Sequence, residues 1–168
     1  EHFDVVPDML VIGKGLGGGI FPLAALMVRE DLDLVGDRAL GHYTHEKSSV
    51  GCAAALATID CLFEDGLIEK SARLGQKGLQ YLSDLKTQYP SIHEARGLGL
   101  FFGIELRQYG KPASQLADKM MYHSLSNGLS YKVGGGCVLT LCPPLTITEQ
   151  ELLRAFEIIE QGLQGISN

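Results

Sequence analysis

The chain has 168 residues, of which 45% are hydrophobic and 20% are charged, so it can build a packed core and lacks the composition of a disordered segment. Its net charge of −6 argues against nucleic-acid binding, which depends on clustered cations. No apolar run is long enough to cross a membrane, so no membrane association is expected. The 4 cysteines form no Cys-x-x-Cys pair, which favours a reducing, cytoplasmic location over a zinc ribbon or redox motif.

Short apolar runs separated by glycines dominate the first third of the chain. Residues 9–13 predict a buried strand, and the glycines between residues 15 and 19 predict an irregular loop. The later part of residues 20–28 predicts a second buried strand. Residues 48–63 are rich in helix formers and apolar on nearly all sides, which predicts a buried helix capped by the serine at position 48 or 49.

The composition changes between residues 64 and 75, and a smaller α/β layer is expected to follow. Helices are predicted over 68–89, 113–126 and 148–163, and strands over 92–106 (two strands, broken at Gly97 and Gly99), 129–133 and 137–141. The last helix begins with Thr148 and has Glu151 three residues later, the pattern of a capping box. We therefore predict two domains, over residues 1–64 and 65–168.

The start of the chain is unusual for a complete protein. It does not begin with Met, and a strand of central character begins at residue 9. Because a buried strand needs neighbours, we expect the beginning of the first domain to be missing. The alternative is a small protein that has been processed or tagged.

The glycine-rich segment around Lys14 is consistent with two functions. Gly13, Gly15 and Gly18 satisfy the dinucleotide pattern Gly-x-Gly-x-x-Gly, but an apolar run containing Pro22 follows where a helix should begin. The alternative is that Lys14 reacts with a carbonyl. A lysine at the end of a buried strand has its pKa lowered by burial, and its neutral amine can form a Schiff base. From the residues alone, an ordinary surface lysine is equally consistent.

Four segments, in this order, resemble the class III aminotransferases, which are pyridoxal-phosphate enzymes of fold type I. The segments are Pro7–Gly19 around the lysine, Cys52–Ala57, Arg96–Leu106 and Pro143–Thr148. The resemblance covers nearly the whole chain but less than half of a family member. It implies an α/β fold that joins the end of the large cofactor-binding domain and an interdomain helix, residues 1–64, to the small C-terminal domain, residues 65–168.

The resemblance also implies a cofactor, a reaction and site residues. Lys14 is implied to be the Schiff-base lysine of pyridoxal 5'-phosphate. Thr44, eight residues before Cys52, is implied to bind the cofactor phosphate of a neighbouring subunit, which implies a homodimer with its active site at the subunit interface. The expected reaction transfers an amino group from an amine or amino acid to a keto acid. A fragment of such an enzyme is expected to be inactive by itself.

Departures from the family pattern leave a second reaction open. Many members carry an arginine for the substrate carboxylate three residues before the first proline of Pro143-Pro144, where this chain has Thr140. Thr140 remains a candidate substrate-binding residue, but threonine cannot bind a carboxylate in the bidentate way that arginine does. The alternative is therefore a lyase that eliminates ammonia or phosphate from an amino alcohol, aminophosphonate or amino-phosphate compound.

Other candidate residues have weaker patterns. His42 and His45 lack an evident third zinc ligand, so no metal site is predicted. Lys47 lies in a polar loop with no strand before it. Arg96 is expected either to pair with a carboxylate or to serve a structural role at a strand end.

Overall fold

A computed structural model describes residues 2–39, 41, 43–44 and 46–166. They form two compact units, residues 1–66 and 67–168, and the division falls two residues after the predicted boundary. Both units contain helices and strands, so the chain has a mixed α/β fold. Among the described residues, no helix has the length and apolarity needed to cross a bilayer.

The first unit contains one antiparallel strand pair and one long helix. Strand β1, Met9–Ile12, pairs with β2, Ala25–Val28. Helix α1, Ser49–Glu64, begins after Ser48, whose Oγ accepts a hydrogen bond from the Gly51 backbone N–H at 3.4 Å. This side chain satisfies one of the free N–H groups at the helix start, as the sequence predicts.

Burial in the first unit is lower than the sequence predicts. Both strands are exposed, with Val11 retaining 74% of its surface, and only Gly51 and Ala55 of α1 are buried. Cys52 and Cys61, on the helix that was predicted to be buried, are also exposed. The buried-strand and buried-helix predictions are wrong for this unit because β1 and β2 form a sheet of only two described strands, which cannot cover an apolar helix.

The second unit packs three helices against an antiparallel sheet. Its strands are β3, Ile92–Leu98; β4, Phe101–Gln108; β5, Lys111–Pro112; β6, Lys132–Gly134; and β7, Val138–Leu141. Its helices are α2, Leu67–Gln88; α3, Ser114–Ser126; and α4, Glu149–Ile166. The strand order is β3-β4-β7-β6, with β5 on β4. The helices cover one face, where alternate strand residues form the core, including Phe102, Ile104, Leu106, Leu139 and Leu141.

The capping box predicted for the last helix is confirmed. The Thr148 backbone N–H donates to Glu151 Oε2 at 2.8 Å, and the Glu151 N–H donates to Thr148 Oγ1 at 3.2 Å. These hydrogen bonds hold the pKa of the Glu151 carboxyl below its usual value, so the charged form of the cap persists to lower pH than that of a free glutamate.

Tyr81 gives the second unit a pH-dependent stability. Its ring stacks on Phe156 at 5.4 Å, and its hydroxyl donates to Glu160 at 2.9 Å. Burial, followed by the hydrogen bond to Glu160, raises the pKa of Tyr81 to about 12, above the unfolded value of about 10. The neutral phenol therefore stabilises the fold fully below about pH 10, and this contribution disappears as the pH rises through 12.

We expect the Tyr81→Phe variant to lose less stability than the wild type when the pH is raised. The free energy of unfolding, measured by urea denaturation at pH 9 and pH 11, should fall more in the wild type than in the variant. Tyr122→Phe, at an exposed position of α3, is the matched control and should behave like the wild type. Equal losses in the wild type and Tyr81→Phe would contradict this assignment.

Candidate active site

Lys14 lies at a backbone position that is unusual for a residue with a side chain. It follows β1 and Gly13, and it begins a short 3-10 turn over Lys14–Gly17. Its φ of 52° is in the left-handed region, which costs a non-glycine residue roughly 1–3 kcal/mol. Strain of this kind persists where the surrounding structure enforces it, and it supports a functional role for Lys14.

The Lys14 side chain borders a small cavity that is open to solvent. Lys14 and the residues Pro22, Leu23 and Ala24 line a cavity of about 430 Å³. The Lys14 side chain is exposed, and it forms no ion pair within the described part of the chain. Of the two alternatives that the residues left open, burial of the lysine is not observed in this chain, because the strand before it is itself exposed.

Close contacts hold the lysine turn against α1. Gly18 ends the turn with a φ of 67°, and a Cβ built there would lie 2.9 Å from Thr58 Oγ1 on α1. A Cβ on Gly51 of α1 would lie 2.9 Å from the ring of Phe21, which follows the turn. Any side chain at either glycine would therefore force its neighbour to move, and the left-handed φ of Gly18 further favours glycine there; the close approach holds the turn that contains Lys14 against α1.

Thr44 and Lys47 precede α1 in an exposed loop. The Thr44 hydroxyl forms no hydrogen bond to the other described residues and is available as a donor. Lys47 is exposed and lies 3.8 Å from the Glu46 carboxylate. Its φ of 57° is also positive, but unlike Lys14 it follows no strand and lies close to a carboxylate, so its surroundings do not favour it as a nucleophile. His42 and His45 lie outside the described residues.

Thr140 and Arg96 belong to the second unit and lie on one face of its sheet. Thr140 of β7 is opposite Gly103 of β4, and Gly103 is opposite Arg96 of β3. The Arg96 guanidinium donates to Glu94 at 2.5 Å and to Glu105 at 3.2 Å. Arg96 therefore pairs with carboxylates, one of its two predicted roles.

Two further charged residues on this face were missed from the sequence. Lys132 of β6 is opposite Thr140, and Arg107 donates to Glu105 at 2.8 Å. The hydrogen bond from Arg107, with a smaller effect from Arg96, holds the pKa of the Glu105 carboxyl below its usual value. Neither residue belongs to a recognisable motif, and only the pairing of β4 with β7 places Arg107 and Lys132 on one sheet.

The residues around Lys14 fit a flat aldehyde cofactor better than a metal ion. A primary amine without a carboxylate partner borders an open cavity, and a Cβ added at Gly15 would meet no atom within 4 Å. Such space allows a ring to approach the Lys14 amine. In the described residues, no three His, Cys, Asp or Glu side chains are grouped as metal ligands.

The chain is similar in sequence to known proteins over almost its whole length. It is 41% identical over 99% of its length to a (R)-1-hydroxy-2-aminoethylphosphonate ammonia-lyase from Vibrio splendidus, and 33% identical over 97% to an ornithine aminotransferase from a Geobacillus species. The chain spans only 35% and 39% of these proteins.

Solved structures show the same partial coverage. An acetylornithine aminotransferase from Elizabethkingia anophelis matches 98% of the chain with a TM-score of 0.87 and 30% identity, and the chain covers 40% of it. An ornithine aminotransferase from Toxoplasma gondii, a structure described with pyridoxal phosphate at partial occupancy, matches with a TM-score of 0.87 and 28% identity. The chain thus has part of the fold-type-I architecture.

A model of the class III aminotransferases matches residues 1–163. This match includes Lys14 in its strained turn and Thr140 on the sheet of the second unit. Because it covers almost the entire chain, we conclude that the chain belongs to the class III aminotransferase family.

Proposed function

We propose that the full-length protein is a pyridoxal-phosphate-dependent aminotransferase in which Lys14 binds the cofactor. The strained position of Lys14 beside an open cavity is the observation that carries this proposal. When bound, pyridoxal phosphate supplies an aldehyde and an electron sink. The Lys14 Nζ would hold the aldehyde carbon, give way to the substrate amine, and then move a proton between carbon atoms as a general base and acid.

We also propose a homodimer, in which Thr44 donates a hydrogen bond to the cofactor phosphate of the partner subunit. Its exposed hydroxyl and its place in the family pattern support this role. The proposed substrates are an amine or amino acid and a keto acid. Four free cysteines, of which three are exposed, support a cytoplasmic location.

Thr44→Ala should weaken cofactor binding by about 1–2 kcal/mol, which corresponds to roughly 5–30-fold in affinity, because a hydrogen bond to a charged phosphate is lost. Equilibrium titration of the apo-protein with pyridoxal phosphate measures this change. Thr87→Ala, whose hydroxyl bonds to the Asp84 backbone carbonyl in α2, is the control and should leave the affinity unchanged. An unaltered affinity in Thr44→Ala would count against the assignment.

Elimination of ammonia is the second candidate reaction, and two observations favour it. Thr140 occupies the position where arginine would bind a substrate carboxylate, and the relative with 41% identity is named as an ammonia-lyase acting on an aminophosphonate. Both reactions require the same lysine, because both begin with the substrate amine on the cofactor. They differ in the fate of nitrogen: a transaminase passes it to a keto acid, whereas a lyase releases it as ammonia.

Dependence on a keto acid separates the two reactions. The holoenzyme is incubated with ornithine or with 1-hydroxy-2-aminoethylphosphonate, each with and without 2-oxoglutarate, and both free ammonia and glutamate are measured. Glutamate formed only with the keto acid supports amino transfer. Ammonia released without it supports elimination. Conversion of neither amine, by a holoenzyme that also fails with other amines, would contradict the proposed function.

A further inference from the structure

Helix α1 has one face of small residues, and this face meets the loop that contains Lys14. Gly51 and Ala55 are the buried residues of α1, and Thr58 is half-buried. Their spacing of four and then three residues places all three on one side of the helix. These short side chains let the loop, residues 13–21, approach α1 closely.

Two contacts join the loop to this face, and they are spaced about 10 Å apart along the helix axis. At the start of α1, Gly51 packs against the ring of Phe21, and two turns later the Thr58 hydroxyl packs against Gly18. A Cβ built on either glycine would lie 2.9 Å from its neighbour, which is closer than a real Cβ atom is found. The loop therefore has no room to move nearer to the helix at either contact.

Backbone hydrogen bonds connect the contact at Gly18 to Lys14. The Leu16 N–H donates to the Gly13 carbonyl at 3.2 Å, which closes a turn with Lys14 as its second residue. The Gly18 N–H donates to the Gly15 carbonyl at 2.9 Å, which closes a second turn that overlaps the first. A displacement of Gly18 is therefore passed through two hydrogen-bonded turns to the left-handed backbone of Lys14.

The Thr58 side chain is held in one orientation. Its hydroxyl donates to the Ala54 backbone carbonyl at 2.8 Å, and a hydrogen bond of this kind fixes the rotamer of a threonine within a helix. In this rotamer Oγ1 is the atom that faces Gly18. A hydroxyl oxygen is smaller than a methyl group, so threonine permits an approach that valine, which has the same shape, would prevent.

We propose that Thr58 is a positioning residue for Lys14. Its hydroxyl oxygen sets how closely the loop approaches α1, and the loop in turn fixes the backbone from which the Lys14 amine reaches the cofactor. This inference rests on the proposed function, in which Lys14 binds the cofactor. The lysine stem is flexible, so a fixed backbone is needed to direct the amine, and a misplacement of about 1 Å lowers a reaction rate by as much as roughly 10²-fold.

Three variants of Thr58 test the inference in the full-length protein. Thr58→Val places a methyl group against Gly18, Thr58→Ala removes the contact without adding an atom, and Thr58→Ser keeps the hydroxyl. Thr87→Val is the matched control, because the Thr87 hydroxyl also donates to a carbonyl of its own helix, that of Asp84 in α2.

The measurement is the rate at which Lys14 bonds to the cofactor. Apo-protein is mixed rapidly with pyridoxal phosphate, and the absorbance of the lysine-bound cofactor is followed. At saturating cofactor the first-order rate constant no longer depends on cofactor affinity. A loss of folded protein lowers the amplitude of the signal instead, so the rate constant separates positioning from a purely structural role.

We expect Thr58→Val to lower this rate constant by roughly 10-fold or more and Thr58→Ala by about threefold or more. Thr58→Ser and Thr87→Val should stay within about twofold of the wild type. Wild-type rate constants in both Thr58→Val and Thr58→Ala, or an equal fall in Thr58→Ser or Thr87→Val, would overturn the inference and leave the proposed function intact. A wild type that forms no lysine-bound cofactor, or a Lys14→Ala variant that forms it at the wild-type rate, would overturn both.

Discussion

Lys14→Ala should lower the turnover of the holoenzyme by roughly 10³-fold or more, because the proposed roles of this residue are to bind the cofactor and to move the proton. Lys14→Arg should be as inactive, since a guanidinium keeps the positive charge but does not form the covalent bond. Initial rates with saturating amine and added pyridoxal phosphate measure the effect. Added cofactor separates a loss of chemistry from a loss of cofactor affinity.

Lys47→Ala is the control for this prediction. Lys47 also has a positive φ, 57°, and lies in an exposed loop, but it follows no strand and is close to Glu46. Its variant should retain activity within about threefold of the wild type, well short of the effect expected from losing a general base. A larger loss in Lys47→Ala than in Lys14→Ala would reassign the lysine, whereas full activity in Lys14→Ala would contradict the account.

Gly75→Ala should destabilise the second unit by about 2–3 kcal/mol. A Cβ at Gly75 of α2 would lie 2.3 Å from the carbonyl oxygen of Gly99 in the turn between β3 and β4. That turn has little freedom to move, because Gly99 has a φ of 54° and the Leu100 N–H donates to Ser71 Oγ on the same helix at 3.2 Å. The steric cost exceeds the gain of about 1 kcal/mol in helix propensity.

Gly165→Ala is the matched control for this substitution. Gly165 also lies in a helix, α4, but a Cβ there would meet no atom within 4 Å. It should be neutral or stabilise the protein by up to about 1 kcal/mol. Urea denaturation of the three proteins gives the free energies of unfolding. Similar values for the two variants would show that the contact between α2 and the turn does not restrict position 75.

Local patterns predicted the helices and their ends well. The Ser48 cap and the Thr148–Glu151 capping box depend on residues within three positions of each other, so a single sequence contains the whole signal. Burial in the first unit was predicted wrongly for a related reason. An apolar pattern reports how hydrophobic α1 and β1 are, whereas burial depends on which surfaces cover them.

The charged face of the second unit was beyond local prediction. Arg96 and Thr140 could be named as separate candidates, but their connection through Gly103 depends on the pairing of β4 with β7, which are far apart in the sequence. Lys132 has no motif of its own and becomes a candidate only through its register with Thr140. The family resemblance made Lys14 the candidate for the Schiff base, while its positive φ and the glycine contacts with α1 required the structure.

Borohydride reduction of the holoenzyme, followed by proteolysis and mass spectrometry, tests the central claim most directly. Reduction makes the bond between lysine and cofactor permanent, so the modified residue can be located independently of activity. We predict a single pyridoxyl label on Lys14, absent from Lys14→Ala. A label on Lys47 or another lysine, or an unlabelled protein that remains active, would contradict the assignment of Lys14.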